Sequence, residues 1–205
     1  FNVAVGYGAL GENTSGDYTV AIGYEASTAS TTPGGSVIIG YQAGHDITTG
    51  GGHVFIGELA GDNFDTENWN VGIGKNSLGG PIAGGEYNVA VGNNTLDALT
   101  SGDYNTAMGY GAGTAVTTGA ENVIIGASAG LALTEGSNNV FVGRDSGAAN
   151  TTAGNNTFIG ERAGQANTTG DESVAIGQAA YLANTEGADN VAIGRSALAA
   201  NTTAN

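Results

Sequence analysis

One glycine recurs along the whole chain. It stands at Gly6, Gly23, Gly40, Gly57, Gly74, Gly92, Gly109, Gly126, Gly143, Gly160, Gly177 and Gly194, always 17 residues apart except for a step of 18 between Gly74 and Gly92. A period this short and strict is the signature of a solenoid, in which one repeat is one coil and has no independent core. Fixing 17 residues costs about 1 to 2 kcal/mol each in backbone entropy. A buried Val or Ile returns only about 1.5 to 3 kcal/mol. A lone coil therefore unfolds, and stability has to come from stacking. The reading is an all-β fold, a parallel β-solenoid (β-roll or β-helix) of twelve 17-residue coils, with residues 1–205 as a single repeat domain.

Composition bounds the partners. Four basic residues (Lys75, Arg144, Arg162, Arg195) face 19 acidic ones, for a net charge of −15. Such a chain repels nucleic acid and anionic membrane surfaces. There is no cysteine, so disulfides do not hold the fold. No run of 18 apolar residues suggests a membrane-spanning helix. Phe1 and Asn205 fall in register with the repeat, which fits either a piece of a longer array or a subunit whose ends abut copies of itself.

Just before each glycine lies a strand signal. Three residues before it the column is Val from Val3 to Val191, with Thr106 and Thr157 as exceptions, and immediately before it stand Val, Ile and one Met. β-Branched residues of this kind suit a pleated, buried strand face, so these two columns are expected to form the core. The residue between them points to the opposite face. It is small or apolar, and its bulkier members Ile38, Phe55, Ile124, Phe141 and Phe158 are the candidate interface with another chain. The recurring glycine is expected at a tight corner or positive φ.

Other columns read as punctuation. A small column from Ala9 to Ala197 points to a thin, flattened coil, and corners of the type Asn167-Thr168-Thr169-Gly170 supply side chains that satisfy backbone groups at a bend. Asn2, Asn70, Asn88, Asn105, Asn122, Asn139, Asn156 and Asn190 stand directly before the strands and are expected to form an axial amide ladder. The repeat is most irregular at Asp62–Trp69 and Gly79–Tyr87, the latter holding the extra residue, and such places in a solenoid often touch something.

No catalytic constellation is visible. His45 and His53 lie in neighbouring coils without the spacing of a transition-metal site. Acidic residues before the asparagine column (Asp17, Glu86, Asp103, Glu121, Asp171, Glu172, Asp189) form oxygen-rich corners that suit calcium, although their spacing matches neither an EF-hand nor a nonapeptide calcium repeat. No other cofactor is expected. Tyr7, Tyr24 and Tyr41 form a three-rung ladder that suits packing against a neighbour or a surface glycan. The threonine columns suit an ice-binding face, but Ala83, Glu135 and Glu186 interrupt the second of them.

Asn-Val-Ala-Ile-Gly at residues 190–194 resembles the head repeats of trimeric autotransporter adhesins. Asn-Thr-Phe-Ile-Gly at 156–160, followed by Ala-Asn-Thr-Thr-Gly at 166–170, is similar to the 17-residue repeats of phage tail-fibre and bacterial surface-fibre proteins. The resemblance implies a non-enzymatic, extracellular fibre segment on a cell surface or virion, often trimeric, with an adhesive or receptor-binding shaft as the alternative. The adhesin repeat is shorter than 17, so its chain packing does not transfer directly. The partner expected first is the chain itself, associating laterally or end to end.

Overall fold

A computed structural model describes the chain from residue 1 to residue 203, apart from Pro33, Ile82 and Ala83. The chain end at Asn205 and the part of the irregular corner at Ile82 and Ala83 lie outside the described residues. Among the described residues, twelve three-residue strands run from β1 (Val3–Val5) to β12 (Val191–Ile193) and form one sheet in sequence order. Each neighbouring pair is parallel and in register, so Val3 faces Val20 and Val174 faces Val191. The solenoid is thus present, with each coil lying on the next.

The extra residue between Gly74 and Gly92 leaves this register intact, because Val71 pairs with Val89 and Ile73 with Val91. An added residue in a strand would turn its side chains to the opposite face.

The recurrent glycine sits where no other residue fits. Its φ lies far to the positive side, 131° at Gly109, and a Cβ built there would lie 2.7 Å from the carbonyl carbon of Gly126 in the next coil. The corner is tight because two coils meet backbone to backbone.

The strand faces are the reverse of the expectation. The central residue of the strand points inward, and Ile38, Phe55, Ile124, Phe141 and Phe158 are all 0% exposed. They are core, and the assignment of these five to an interface is wrong. The flanking Val and Ile columns point outward and are half-buried or exposed along the sheet. A 17-residue coil encloses space for one inward side chain from its strand, met from the other side by the small column of Ala26, Ala43, Ala112 and Ala163.

That narrow interior is filled by a volume exchange between the strand centre and the residue six positions later. Phe55, Phe141 and Phe158 face Gly61, Gly147 and Gly164, whereas Gly72, Ala90 and Ala175 are answered by Leu78, Leu96 and Tyr181. A Cβ on Gly164 would lie 2.7 Å from Phe158 Cγ, and one on Gly147 would lie 2.8 Å from the Phe141 ring. The second position has a left-handed backbone in every case, with φ of 53°, 50° and 56° at Leu78, Leu96 and Tyr181. Glycine there is selected by the space the facing ring leaves, since larger residues adopt the same φ.

From Asn70 to Asn156 the asparagines of the column are buried and bond along the axis, while Asn2 at the first rung is exposed and Asn190 half-buried. The Asn105 backbone N–H and Nδ2 donate to Asn88 Oδ1 at 2.9 and 3.1 Å, and Nδ2 also donates to the Gly119 carbonyl at 2.9 Å. Asn122 and Asn139 repeat the pattern. At three of the four rungs without asparagine another acceptor serves, while at the fourth the buried Thr19 hydroxyl has no partner among the described residues. Ser36 Oγ accepts from the His53 N–H, His53 Nδ1 from the Asn70 N–H, and Ser173 Oγ from the Asn190 N–H. Threonines at the opposite corner donate their hydroxyls to the carbonyl one coil on, as in Thr117 to Thr134 and Thr168 to Thr185.

Two outcomes follow from this packing. Gly164→Leu alone is expected to cost about 2 kcal/mol by overpacking, and Phe158→Ala about 3 kcal/mol or more through the cavity left. The double variant F158A/G164L recovers most of both, seen in denaturant melts as a favourable coupling of about 2 kcal/mol. Asn150 is fully buried and its amide has no hydrogen-bond partner in the structure. Asn150→Leu, which copies Leu133 one coil earlier, is expected to raise stability by about 1 to 3 kcal/mol in the same assay.

Candidate interaction surface

Because the strand centres point inward, the outer face of the sheet is made of the two β-branched columns. Ile22, Ile159 and Ile176 are each 37% exposed, Met108 45%, and the strip continues over all twelve rungs. Scattered apolar residues are ordinary on a protein surface, but a straight, contiguous strip of Val and Ile is not. The strands are short and parallel, so the strip is narrow and long. The side chains are stiff at χ1, which makes the surface preformed.

Aromatic residues decorate the corners flanking the sheet. Tyr7, Tyr24 and Tyr41 stack on one another with centroids 5.3 Å apart, and all three are exposed. In the column just before the asparagine ladder, Tyr87 and Tyr104 stack at 5.1 Å with planes 2° apart. The same column begins with Phe1 stacked on Tyr18 at 5.8 Å, continues through Gly35 and Gly52, and reaches Trp69. An open cavity of about 560 Å³ lies there. The irregular stretch Asp62–Trp69 thus supplies one wall of a cavity, while its Phe64 is core.

The titratable groups have structural explanations. Asp103 Oδ1 accepts from the Glu86 N–H at 2.8 Å, and Asp171 Oδ1 from the Gly154 N–H at 2.7 Å, so part of the acidic corner column caps backbone groups of the preceding coil. Among the described residues no group of three or more His, Asp or Glu is placed to hold a metal ion. Burial pushes the Asp62 carboxyl up to about 6, and the nearby charges of Asp46 and Asp97 add to the shift.

His53 occupies a rung of the amide ladder. It stacks on Phe55 at 4.7 Å, Nε2–H donates to the Glu67 carbonyl at 2.9 Å, and Nδ1 accepts from the Asn70 N–H. Burial lowers its pKa to about 4. Protonation would set an N–H against the Asn70 N–H. His45 is on the surface, paired with Asp46 at 2.6 Å.

The predicted glycine and asparagine columns therefore lie at the corner and inside the coil, and the predicted interface residues lie in the core. The outward Val and Ile columns were missed as a surface. The volume exchange between the strand centre and the residue six later was the available signal, since an outward residue has no reason to compensate an inward one. In comparisons with known proteins, no family model, curated protein or solved structure matches this chain.

His53 yields a pH prediction. Its folded pKa of about 4 lies below the ordinary 6.5, so its contribution is intact above pH 6.5 and is lost as pH falls toward 4. The full loss corresponds to about 3 kcal/mol. Asp62, raised from 3.8 to about 6, acts in the opposite direction over an overlapping range. His53→Asn, which restores the ladder residue, removes only the histidine part. The stability difference between variant and parent is therefore expected to shift by about 3 kcal/mol in the variant's favour between pH 7 and pH 4.

Proposed function

We propose that this chain is structural material of an extracellular fibre, a non-enzymatic rod whose copies lie side by side through the Val/Ile strip. The observation that carries the reading is the strip itself, apolar but for Thr106 and Thr157 and half-buried or exposed along all twelve strands. At about 4.8 Å per rung it runs for about 57 Å, and with a width near 10 Å it offers on the order of 600 Å² per copy. Two copies then bury on the order of 1,200 Å², within the range of specific protein interfaces.

The repeat supports the same conclusion. A second copy has the same rung spacing, so Val and Ile ridges on one can interlock with those on another over the full length. Lateral contacts of this kind are weak per coil and add up with length, which suits a shaft. The likeness of the Asn-Val-Ala-Ile-Gly unit to surface-fibre repeats and the strongly acidic composition fit an extracellular, soluble rod. A receptor-binding shaft remains compatible with this architecture, because the corners carry exposed aromatics away from the strip.

Light scattering on the purified chain tests the proposal. The expected mass is that of two or more chains, and the double variant V91K/I125K, altered only on the outward columns, is expected to be monomeric with an unchanged circular dichroism spectrum. A parent protein that stays monomeric at high concentration sinks the idea.

A further inference from the structure

Over its first seven coils the column before the asparagine ladder carries a ring at Phe1, Tyr18, Trp69, Tyr87 and Tyr104 and none at Gly35 and Gly52. Tyr18, Gly35, Gly52 and Trp69 occupy one position in four successive coils, held in line by axial bonds from Gly35 N–H to the Asp17 carbonyl, Gly52 N–H to the Gly34 carbonyl and Trp69 N–H to the Gly51 carbonyl. Trp69 leans over its glycine neighbour. A Cβ on Gly52 would lie 2.6 Å from Trp69 Cζ3, so the indole already covers that rung. Gly35 is open, with no atom of the described residues within 4 Å of where its Cβ would be. The gap between the Tyr18 ring and the indole therefore spans about two rungs, roughly 10 Å, which is the room one further ring needs to stack on both.

We infer that this gap is a binding slot for a neutral pyranose, held between Tyr18 and Trp69. A pyranose ring offers a face of C–H groups to each aromatic wall and hydroxyls at its rim. The rim of the slot supplies Thr32 and Thr49, both exposed, both lining the cavity, and neither making a side-chain hydrogen bond to the described residues. A flat aromatic ligand would fill the gap but leave those hydroxyls unanswered. Charge narrows the class further. Asp17 beside Tyr18 is paired with the N-terminal amine of Phe1 at 3.2 Å, none of the residues lining the cavity is basic, and the chain carries a net charge of −15, so an anionic sugar finds no cationic partner in the slot and a neutral one needs none. Glycine at 35 and 52 keeps the column free of protein rings at the place where the ligand ring enters. The slot is complete in one chain and does not depend on lateral association, so a monomer binds sugar as well as a fibre does.

Trp69 is the chain's one tryptophan and serves as its own reporter. Its fluorescence and its indole N–H chemical shift are followed while the full chain is titrated with methyl β-glucopyranoside, methyl β-galactopyranoside and methyl α-mannopyranoside, each to about 50 mM, where weak single-sugar binding saturates. N-acetylneuraminic acid is the anionic comparison. A saturable response to at least one neutral glycoside and none to the acid is expected. Gly35→Tyr places a protein ring in the gap on a backbone that already holds Tyr18 at the same φ (64° against 61°), and abolishes the response. Tyr18→Ala, a change at an exposed side chain, weakens binding about fivefold. The proposal is overturned if no neutral glycoside produces a saturable change, if the acid binds equally well, or if both variants bind like the parent. It is also overturned if the indole signals respond to protein dilution alone, which would place a second copy in the slot.

Discussion

The backbone of each coil is hydrogen-bonded to the coils on either side, and the rest of the structure follows from that. Val89 N–H donates to the Asn105 carbonyl one coil ahead, and Gly92 N–H donates to the Ile73 carbonyl one coil behind. Because every coil uses its neighbours in this way, equivalent residues must stay in axial line around the whole circumference. That requirement makes columns the unit of design. A polar column becomes a ladder, an aromatic column becomes a stack, and a residue with an unusual backbone recurs at the same place in coil after coil. It also confines length variation to corners, which is where the extra residue before Gly92 is absorbed.

The interior is too thin to be filled in the way a globular core is. Each coil has one inward strand residue, one facing small residue and one position on the far side whose size is set by the first. The exchange of Phe158 with Gly164, or of Ala90 with Leu96, keeps the enclosed volume nearly constant while the individual residues change. Packing density within a coil therefore constrains pairs of positions, and stacking between coils constrains columns. Ala107 with Gly113 is small on both sides, and there Leu96 and Ile124 from the adjacent coils reach into the space, since a Cβ on Gly113 would meet each at 3.0 Å.

Much of this was legible in the sequence. The period gave the number and order of strands, and the glycine column announced a corner that tolerates no side chain, as Gly109 shows. The amide ladder was readable because identical side chains one rung apart have few other ways to be satisfied when buried. The direction of the strand faces was not readable from residue type. Both faces are apolar, and the preference of Val and Ile for buried strands pointed the wrong way because they cover a surface of their own. Residue type reports how well a side chain fits a pleated sheet, and it does not say on which side the coil closes. The position of His53 was hidden for a similar reason. It occupies a ladder rung by supplying one acceptor where asparagine would, and a lone histidine among glycines does not advertise that.

The side-chain hydrogen bonds also give the rod a direction. Among the described residues the hydroxyls at the threonine corner point toward later coils, whereas the backbone N–H groups of Asn105, Asn122 and Asn139 point toward the amide oxygens of earlier ones. Sectioned between any two such coils, the rod shows two unlike faces, one with hydroxyl donors and amide acceptors, the other with the complement of each. Addition of a coil would therefore be vectorial: a new coil matches only with the same heading, and a reversed one would set donor against donor at one corner and acceptor against acceptor at the other.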